Sequence, residues 1–403
     1  MLEWNQKASP MIYLDHNSTT PLAPEAAAAM AEWQGRQFGN PASQHAAGRR
    51  ARQALETARE EIAHILGANL AGRQPDRLIF TSGGTEANNL ALFGITGCYE
   101  PQVEPGEVVI SAIEHPSITA PAAALERHGW RVPRLSVGTN GVVEIAALDS
   151  LFSPRTRLVS VMLANNETGV IQPVSDLAGR CRARGIPFHT DAVQVAGKLP
   201  LDFQSLGVDA LTVAAHKFHG PLGIGALIVR HDVELHPQLL GGFQQEGYRG
   251  GTESVALAVG MHAALAAWEK EADERSRRMT DLRDRLESQL TARMQGELLV
   301  VGGDAPRLPH TSNVALLGVD RQALVMALDL AGVACSSGSA CASGSSEPSP
   351  VLIAMGCPAE ILSSAVRFSL GATTTAAEID DAVERIARVC AQMRANRPFT
   401  ATA

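Results

Sequence analysis

Between Arg77 and Val229, short apolar runs alternate with helical segments, and this alternation limits the possible folds more than any other feature of the chain. Arg77-Leu-Ile-Phe-Thr81, Val108-Val-Ile-Ser111, Arg157 to Ala164, Pro187-Phe-His-Thr-Asp191, Ala210 to Ala215 and Ala226-Leu-Ile-Val229 read as strands. Glu86 to Gly94, Ser117 to His128 and Val174 to Arg184 read as helices between them, with Gly129 and Gly185 as stops after the last two. Strand–helix alternation predicts a mostly parallel sheet with helices on both faces. In such sheets ligands bind beyond the carboxyl ends of the strands. The residues just after each strand are therefore where chemistry is expected.

The rest of the chain reads as a second unit. At 403 residues it is longer than one core usually serves. Ala46 to Leu66 is a charged helix with Leu55, Ile62 and Leu66 turned inward. Glu253 to Met294 reads as helical, with Leu282, Leu286 and Leu290 at helical spacing. Short strands (Leu298–Val301, Ser312–Leu316, Val366–Leu370) and helices (Arg321–Ala331, Ala376–Met393) follow. The expected division is a large α/β domain over 16–260 and a smaller α+β domain from 1–15 and 261–403. A net charge of −8 argues against direct nucleic-acid binding, and no apolar run is long enough for a membrane span. No apolar stretch behind a basic segment opens the chain, so no signal peptide is expected. Six cysteines without CxxC spacing fit a reducing, cytoplasmic setting better than a disulfide scaffold or a zinc ribbon.

Five stretches stand at strand ends. In Leu211-Thr-Val-Ala-Ala-His-Lys-Phe-His-Gly-Pro221 a lysine, Lys217, follows an apolar run. It is either a strand-end lysine with its charge in water or a desolvated amine suited to Schiff-base chemistry. Thr81-Ser-Gly-Gly-Thr-Glu-Ala-Asn-Asn89 offers glycines and a helix N-terminus to a phosphate, or a plain helix cap. His115, in Ser111-Ala-Ile-Glu-His-Pro116, can stack on a flat ligand, move protons, or be structural. Asn165-Asn-Glu-Thr-Gly169 can cap or bind. Asp191, in Phe188-His-Thr-Asp-Ala-Val-Gln194, ends an apolar strand, where a carboxylate needs a cationic partner. A phosphate cradle, an aromatic stacker, a buried carboxylate and a Schiff-base lysine together describe a pyridoxal phosphate site. His216 and His219 lack a third ligand, so no metal is expected.

In their order and spacing these motifs resemble the cysteine desulfurases, fold-type I, class V enzymes that use pyridoxal 5'-phosphate. The likeness runs from Tyr13-Leu-Asp-His-Asn-Ser-Thr-Thr20 to Arg367-Phe-Ser-Leu-Gly371 and includes Arg249-Gly-Gly-Thr-Glu253 and Ser336-Ser-Gly-Ser-Ala-Cys341. The resemblance implies a seven-stranded mixed sheet between helices, with a smaller α+β domain. It implies that Lys217 binds the cofactor covalently and moves the substrate α-proton. Asp191 then pairs with the pyridine nitrogen, and Gln194 with the ring hydroxyl. His115 stacks on the ring and acts as acid or base. Gly84, Thr85 and His216 hold the phosphate, joined by Thr252 from the other subunit of a homodimer. Asn166 and Arg367 take the carboxylate of L-cysteine. Cys341, in a mobile loop of about 335–350, is the nucleophile that passes sulfur to an acceptor such as an iron–sulfur scaffold or thiolation protein.

Several positions depart from the family pattern. Ala214 stands where a serine or threonine hydroxyl usually faces the phosphate, so weaker cofactor retention is expected. Leu222 replaces the lysine of the Gly-Pro-Lys-Gly turn, Gln244-Gln-Glu246 replaces Gln-Glu-Arg, Ser345-Ser346 replaces Ser-Leu, and Ile353 replaces an arginine. Cys335 is either a resolving thiol for Cys341 or inert. Other readings are a selenocysteine lyase, a class V aminotransferase, which Cys341 in its Ser/Gly loop argues against, and a non-catalytic partner protein.

Overall fold

Buried backbone N–H and C=O groups need partners, and the apolar runs find them in one another. The structure, a computed structural model, describes residues 11–36, 38–338 and 347–395. Within them the strands in chain order are β1 (Ile12–Tyr13), β2 (Arg77–Thr81), β3 (Glu107–Ser111) and β4 (Arg134–Leu135). They continue as β5 (Thr156–Ser160), β6 (Phe188–Asp191), β7 (Ala210–Ala214) and β8 (Gly225–Val229). The last are β9 (Leu298–Val300), β10 (Thr311–Leu316), β11 (Val333–Ala334) and β12 (Ala365–Ser369).

Strands β2, β8, β7, β6, β5, β3 and β4 pair in that order into a seven-stranded sheet. The pairings from β7 through β4 are parallel, and β8 runs antiparallel to β2 and β7. The sheet is thus mixed and mostly parallel, as expected. Strands β3, β7 and β8 are buried at every residue, the mark of strands covered on both faces. The helix Ala46–Ile65 buries Ala51, Leu55, Ala58 and Ile62, spaced three and four apart, in the main core. Truncating Leu55 to alanine there costs about 3 kcal/mol.

A second core forms where β12, β10 and β9 make an antiparallel sheet. Helices Ala272–Met294, Arg321–Leu330 and Ala376–Ala395 cover it through residues such as Leu286, Leu324 and Ile386. The long helix expected over Glu253 to Met294 is two helices, Val255–Glu269 and Ala272–Met294. The first buries Val255, Ala258, Met261 and Leu265 in the main core, and the second buries Leu282, Leu286 and Leu290 in the other. One straight helix cannot serve both cores, and the chain turns at Glu271. The expected strand from Arg157 to Ala164 ends at Ser160, yet Val161 and Leu163 still donate to the carbonyls of His189 and Asp191.

The run from Ile12 to Ser18 joins the two parts. Strand β1 pairs in parallel with β11, and Ile12 and Leu14 insert into the second core. The N–H groups of Ile12, Leu14 and His16 bond to the carbonyls of Gly332, Ala334 and Ser369, and that of Asn17 to Ser369 Oγ. Among the described residues no helix is long and apolar enough to cross a membrane.

Candidate active site

Three strand ends meet at one point on the carboxyl edge of the large sheet. Strand β2 leads through Thr81 into the helix Gly84–Thr96, β6 ends on Asp191, and β7 passes through a short 3-10 turn to Lys217. A Cβ added to Gly84 would stand 3.0 Å from Val193 Cγ2 and 3.4 Å from the Ala214 methyl carbon. The helix N-terminus, the turn after Asp191 and the end of β7 are therefore in contact, and glycine lets them approach. No side chain caps this helix, whose N-cap is Gly83. Its leading N–H groups and positive dipole end suit an anion.

Asp191 is buried beside this cradle. Its Oδ1 accepts the N–H of Val193 at 2.9 Å and its Oδ2 accepts Asn88 Nδ2 at 2.7 Å. The amide of Asn88 also donates to Ser117 Oγ at 2.8 Å. His115 caps the helix Pro116–Arg127, and its Nδ1 accepts the Ser117 N–H at 3.1 Å. With Thr85, Asn89 and Phe93 it lines a cavity of about 550 Å³ between the two helices.

The Lys217 amine donates to two main-chain oxygens, Asn17 O at 2.5 Å and Ser18 O at 2.8 Å. Gln194 Nε2 reaches the same Asn17 oxygen at 3.1 Å, while its Oε1 accepts the buried Lys198 amine at 2.9 Å. Arg367, on β12, is only 1% exposed. It donates to Asn166 O at 2.9 Å, Asp15 Oδ1 at 2.7 Å and Ser18 Oγ at 2.9 Å. Among the described residues its Nε is buried without a partner, as is Asn17 Oδ1. Unsatisfied polar atoms of this kind are costly in a closed interior, and here they mark a place for a polar ligand.

Cations crowd the floor of the site, and burial keeps the neighbouring bases neutral. Burial takes His216 down to about 4, with Lys217 and Lys198 adding to it. Burial lowers His115 too; the Asp191 charge opposes this, and Lys217 and Arg367 reinforce it. Lys198 is pushed well below the ordinary lysine range by burial, then by Lys217 and Arg367. On the other side of the strand ends, burial lifts the Glu114 carboxyl to about 8. Burial pushes the Cys335 thiol up to about 12, which favours the inert alternative over a resolving thiol.

Gly84, Thr85, His115, Asp191, Gln194, His216 and Lys217 thus gather at the edge of one sheet, Asn166 follows β5 of the same sheet, and Arg367 comes to it from β12 of the second core. Asn166 reaches Arg367 through its main-chain oxygen. Thr252 is exposed on a loop tied to the cradle helix by Arg249, whose Nε is 2.8 Å from Glu86 Oε1. Cys341 lies outside the described residues. The strand-end reading passed over Asn17, Ser18, Asn88, Ser117 and Lys198. Asn88 and Ser117 lay in stretches already singled out, and an amide one helical turn behind Gly84 was the available signal.

Residues 12–382 match the family model for aminotransferase class-V. A cysteine desulfurase of Cereibacter sphaeroides is 44% identical over 391 residues, covering 97% of this chain and 98% of that protein. A NifS-like protein from Rickettsia africae superposes with a TM-score of 0.85 at 32% identity, over 94% of this chain and 99% of that one. A structure of SspA in complex with cysteine gives a TM-score of 0.77 at 31% identity, over 90% of this chain and 99% of that one.

Proposed function

The chain belongs to the cysteine desulfurases of the class-V aminotransferase family, and on that footing we propose that it takes sulfur from L-cysteine, with pyridoxal 5'-phosphate as cofactor. The observation that carries the reading is the meeting of Lys217, Asp191 and the uncapped Gly84 helix at one sheet edge, with Arg367 arriving from β12. These residues fit the cofactor. Lys217 would hold its aldehyde carbon, Asp191 its ring nitrogen, His115 its ring face, and Gln194 its ring hydroxyl. The N–H groups of Gly84 and Thr85, with His216, would hold its phosphate. When bound, the cofactor supplies the electron sink that makes the substrate α-proton removable.

The chain's own groups do the rest. Arg367 and Asn166 orient the substrate carboxylate, and a planar guanidinium suits that task. Lys217 takes the α-proton. The Cys341 thiolate bonds to the substrate sulfur as the carbon–sulfur bond breaks. The substrate Cβ gains a proton, Lys217 returns a proton to Cα, L-alanine leaves, and Cys341 keeps the sulfur as a persulfide. The acceptor is a second protein, an iron–sulfur scaffold or a thiolation protein, met in a reducing cytoplasm. The enzyme acts as a homodimer in which the partner subunit's Thr252 completes the phosphate cradle. Exposed Leu240 and Phe243, 80% and 84% accessible on the loop that leads to Thr252, support that assembly.

The test supplies L-cysteine and pyridoxal phosphate, then measures alanine and, by mass spectrometry, one added sulfur on Cys341. Lys217→Ala should abolish both products, and Cys341→Ser should abolish sulfur release. Turnover that survives Cys341→Ser would return the chain to the aminotransferases.

A further inference from the structure

Hydrogen-bond direction around His115 settles which of its nitrogens carries the proton. A main-chain N–H can only donate, so Nδ1, which accepts from Ser117 N–H at 3.1 Å, is bare. The Ser117 hydroxyl lies 2.7 Å from the same nitrogen, so it must donate its hydrogen there. Its oxygen is then open to accept, and Asn88 Nδ2 fills it at 2.8 Å. The second amide hydrogen of Asn88 goes to Asp191 Oδ2 at 2.7 Å. The Asp191 carboxylate accepts only donors, so it fixes which way the Asn88 amide faces. Each hydrogen in the chain from Asp191 to His115 has one possible place. Asn88 is fully buried and Ser117 nearly so.

We infer that Asn88 and Ser117 are positioning residues that lock His115 as the tautomer protonated on Nε2, so that His115 serves the reaction as a hydrogen-bond donor and leaves proton abstraction to Lys217. The inference deepens the desulfurase reading and rests on it for the role of Lys217. Among the described residues, charged groups acting on the ring include Asp191, Lys217 and Arg367. Protonation of Nδ1 would set a cationic N–H against the Ser117 N–H and would have to break the helix cap as well. Burial already disfavours that cation. An imidazole fixed in this way cannot take the α-proton on either nitrogen without first losing its cap or its Nε2 hydrogen.

The test uses the holoenzyme labelled with 15N-histidine, with His115→Asn identifying the resonances. The expected result is a bare Nδ1 and a protonated Nε2 between about pH 6 and 8. In Ser117→Ala the main-chain N–H still donates to Nδ1, so Nε2 should stay the main site of the proton while a minor second tautomer becomes visible, and kcat for alanine formation should fall roughly five-fold, with KM for L-cysteine held within about two-fold. Ser117→Thr should restore both. Ser117 does not touch Asp191, so cofactor content should stay full in these variants. Asn88→Ala should show the same tautomer mixing. A proton on Nδ1 in the wild type overturns the inference, and so does a Ser117→Ala enzyme with unchanged tautomer and unchanged kcat. Absence of alanine in the wild type would instead remove the desulfurase reading, because the tautomer is read without turnover.

Discussion

Ala214 offers the sharpest test of the phosphate cradle. Its methyl is buried at the end of β7, 3.4 Å from where a Cβ on Gly84 would stand, so it faces the N-terminus of the Gly84–Thr96 helix. Ala214→Ser places one hydroxyl at that point. A hydrogen bond from a hydroxyl to a charged acceptor contributes about 1.5–3 kcal/mol. Ordering the new side chain offsets part of this, leaving roughly ten-fold tighter binding of pyridoxal phosphate. Without cofactor the sign reverses, since a buried hydroxyl lacking an acceptor costs about 1 kcal/mol. The midpoint of thermal unfolding should therefore fall by about 2 °C in the cofactor-free protein and rise in the loaded one. A spectroscopic titration measures the first effect, and paired melts with and without cofactor measure the second. Unchanged affinity, or an equal fall in both melts, would refute the placement of Ala214 beside the phosphate.

Three further outcomes are expected. Arg367→Lys keeps the charge but loses the planar fork that reaches Asn166, Asp15 and Ser18, so KM for L-cysteine should rise ten- to hundred-fold, roughly, with a smaller change in kcat; steady-state kinetics at full cofactor occupancy decides it. Glu114, raised from 4.5 to about 8, keeps its proton when folded and loses it when unfolded across that window. Its contribution is thus full below the unfolded value and lost as pH climbs through the folded one. Denaturant midpoints should decline from about pH 5 to 8, and Glu114→Gln should flatten the decline; equal slopes would count against the buried neutral acid. Cys335, at about 12, exposes about one thiolate in ten thousand at pH 8. Iodoacetamide should label this half-buried thiol far more slowly than an exposed one at pH 8, and Cys335→Ser should keep sulfur release within about two-fold; rapid labelling of native Cys335 would sink this.

The sheet and the strand-end residues were legible because they rest on local pattern. Short apolar runs announce β2, β3, β7 and β8, and a charged residue at the end of such a run, as at Asp191 and Lys217, has few places to go. The two-residue strands β1, β4 and β11 are too short to show a period, and they exist only because distant chain lies beside them. The break at Glu271 carries no glycine or proline and follows from there being two cores. Main-chain acceptors such as Asn17 O and Asn166 O were hidden for a simpler reason: any residue type supplies a carbonyl, so side-chain identity says nothing about them. Asn88 looked like one more polar residue of a helix start, and only the partners in space give its amide a direction.

The run from Ile12 to Ser18 behaves mechanically as a tie rod. One end is fastened to β11, which leads toward Cys335, and the other holds the Lys217 amine by the oxygens of Asn17 and Ser18. Alternate N–H groups between are bolted to Gly332, Ala334 and Ser369, so the run has no slack. A displacement of the second core by an ångström or so cannot be taken up along it and must reach Lys217 as a shift of the two carbonyls that grip it. The links from Ile12, Leu14 and His16 are main-chain N–H groups, so among single substitutions at those three positions proline is the one that removes a link. A single backbone cleavage between Leu14 and Asn17 would remove no residue of the site and still uncouple the lysine from β11 and the second core.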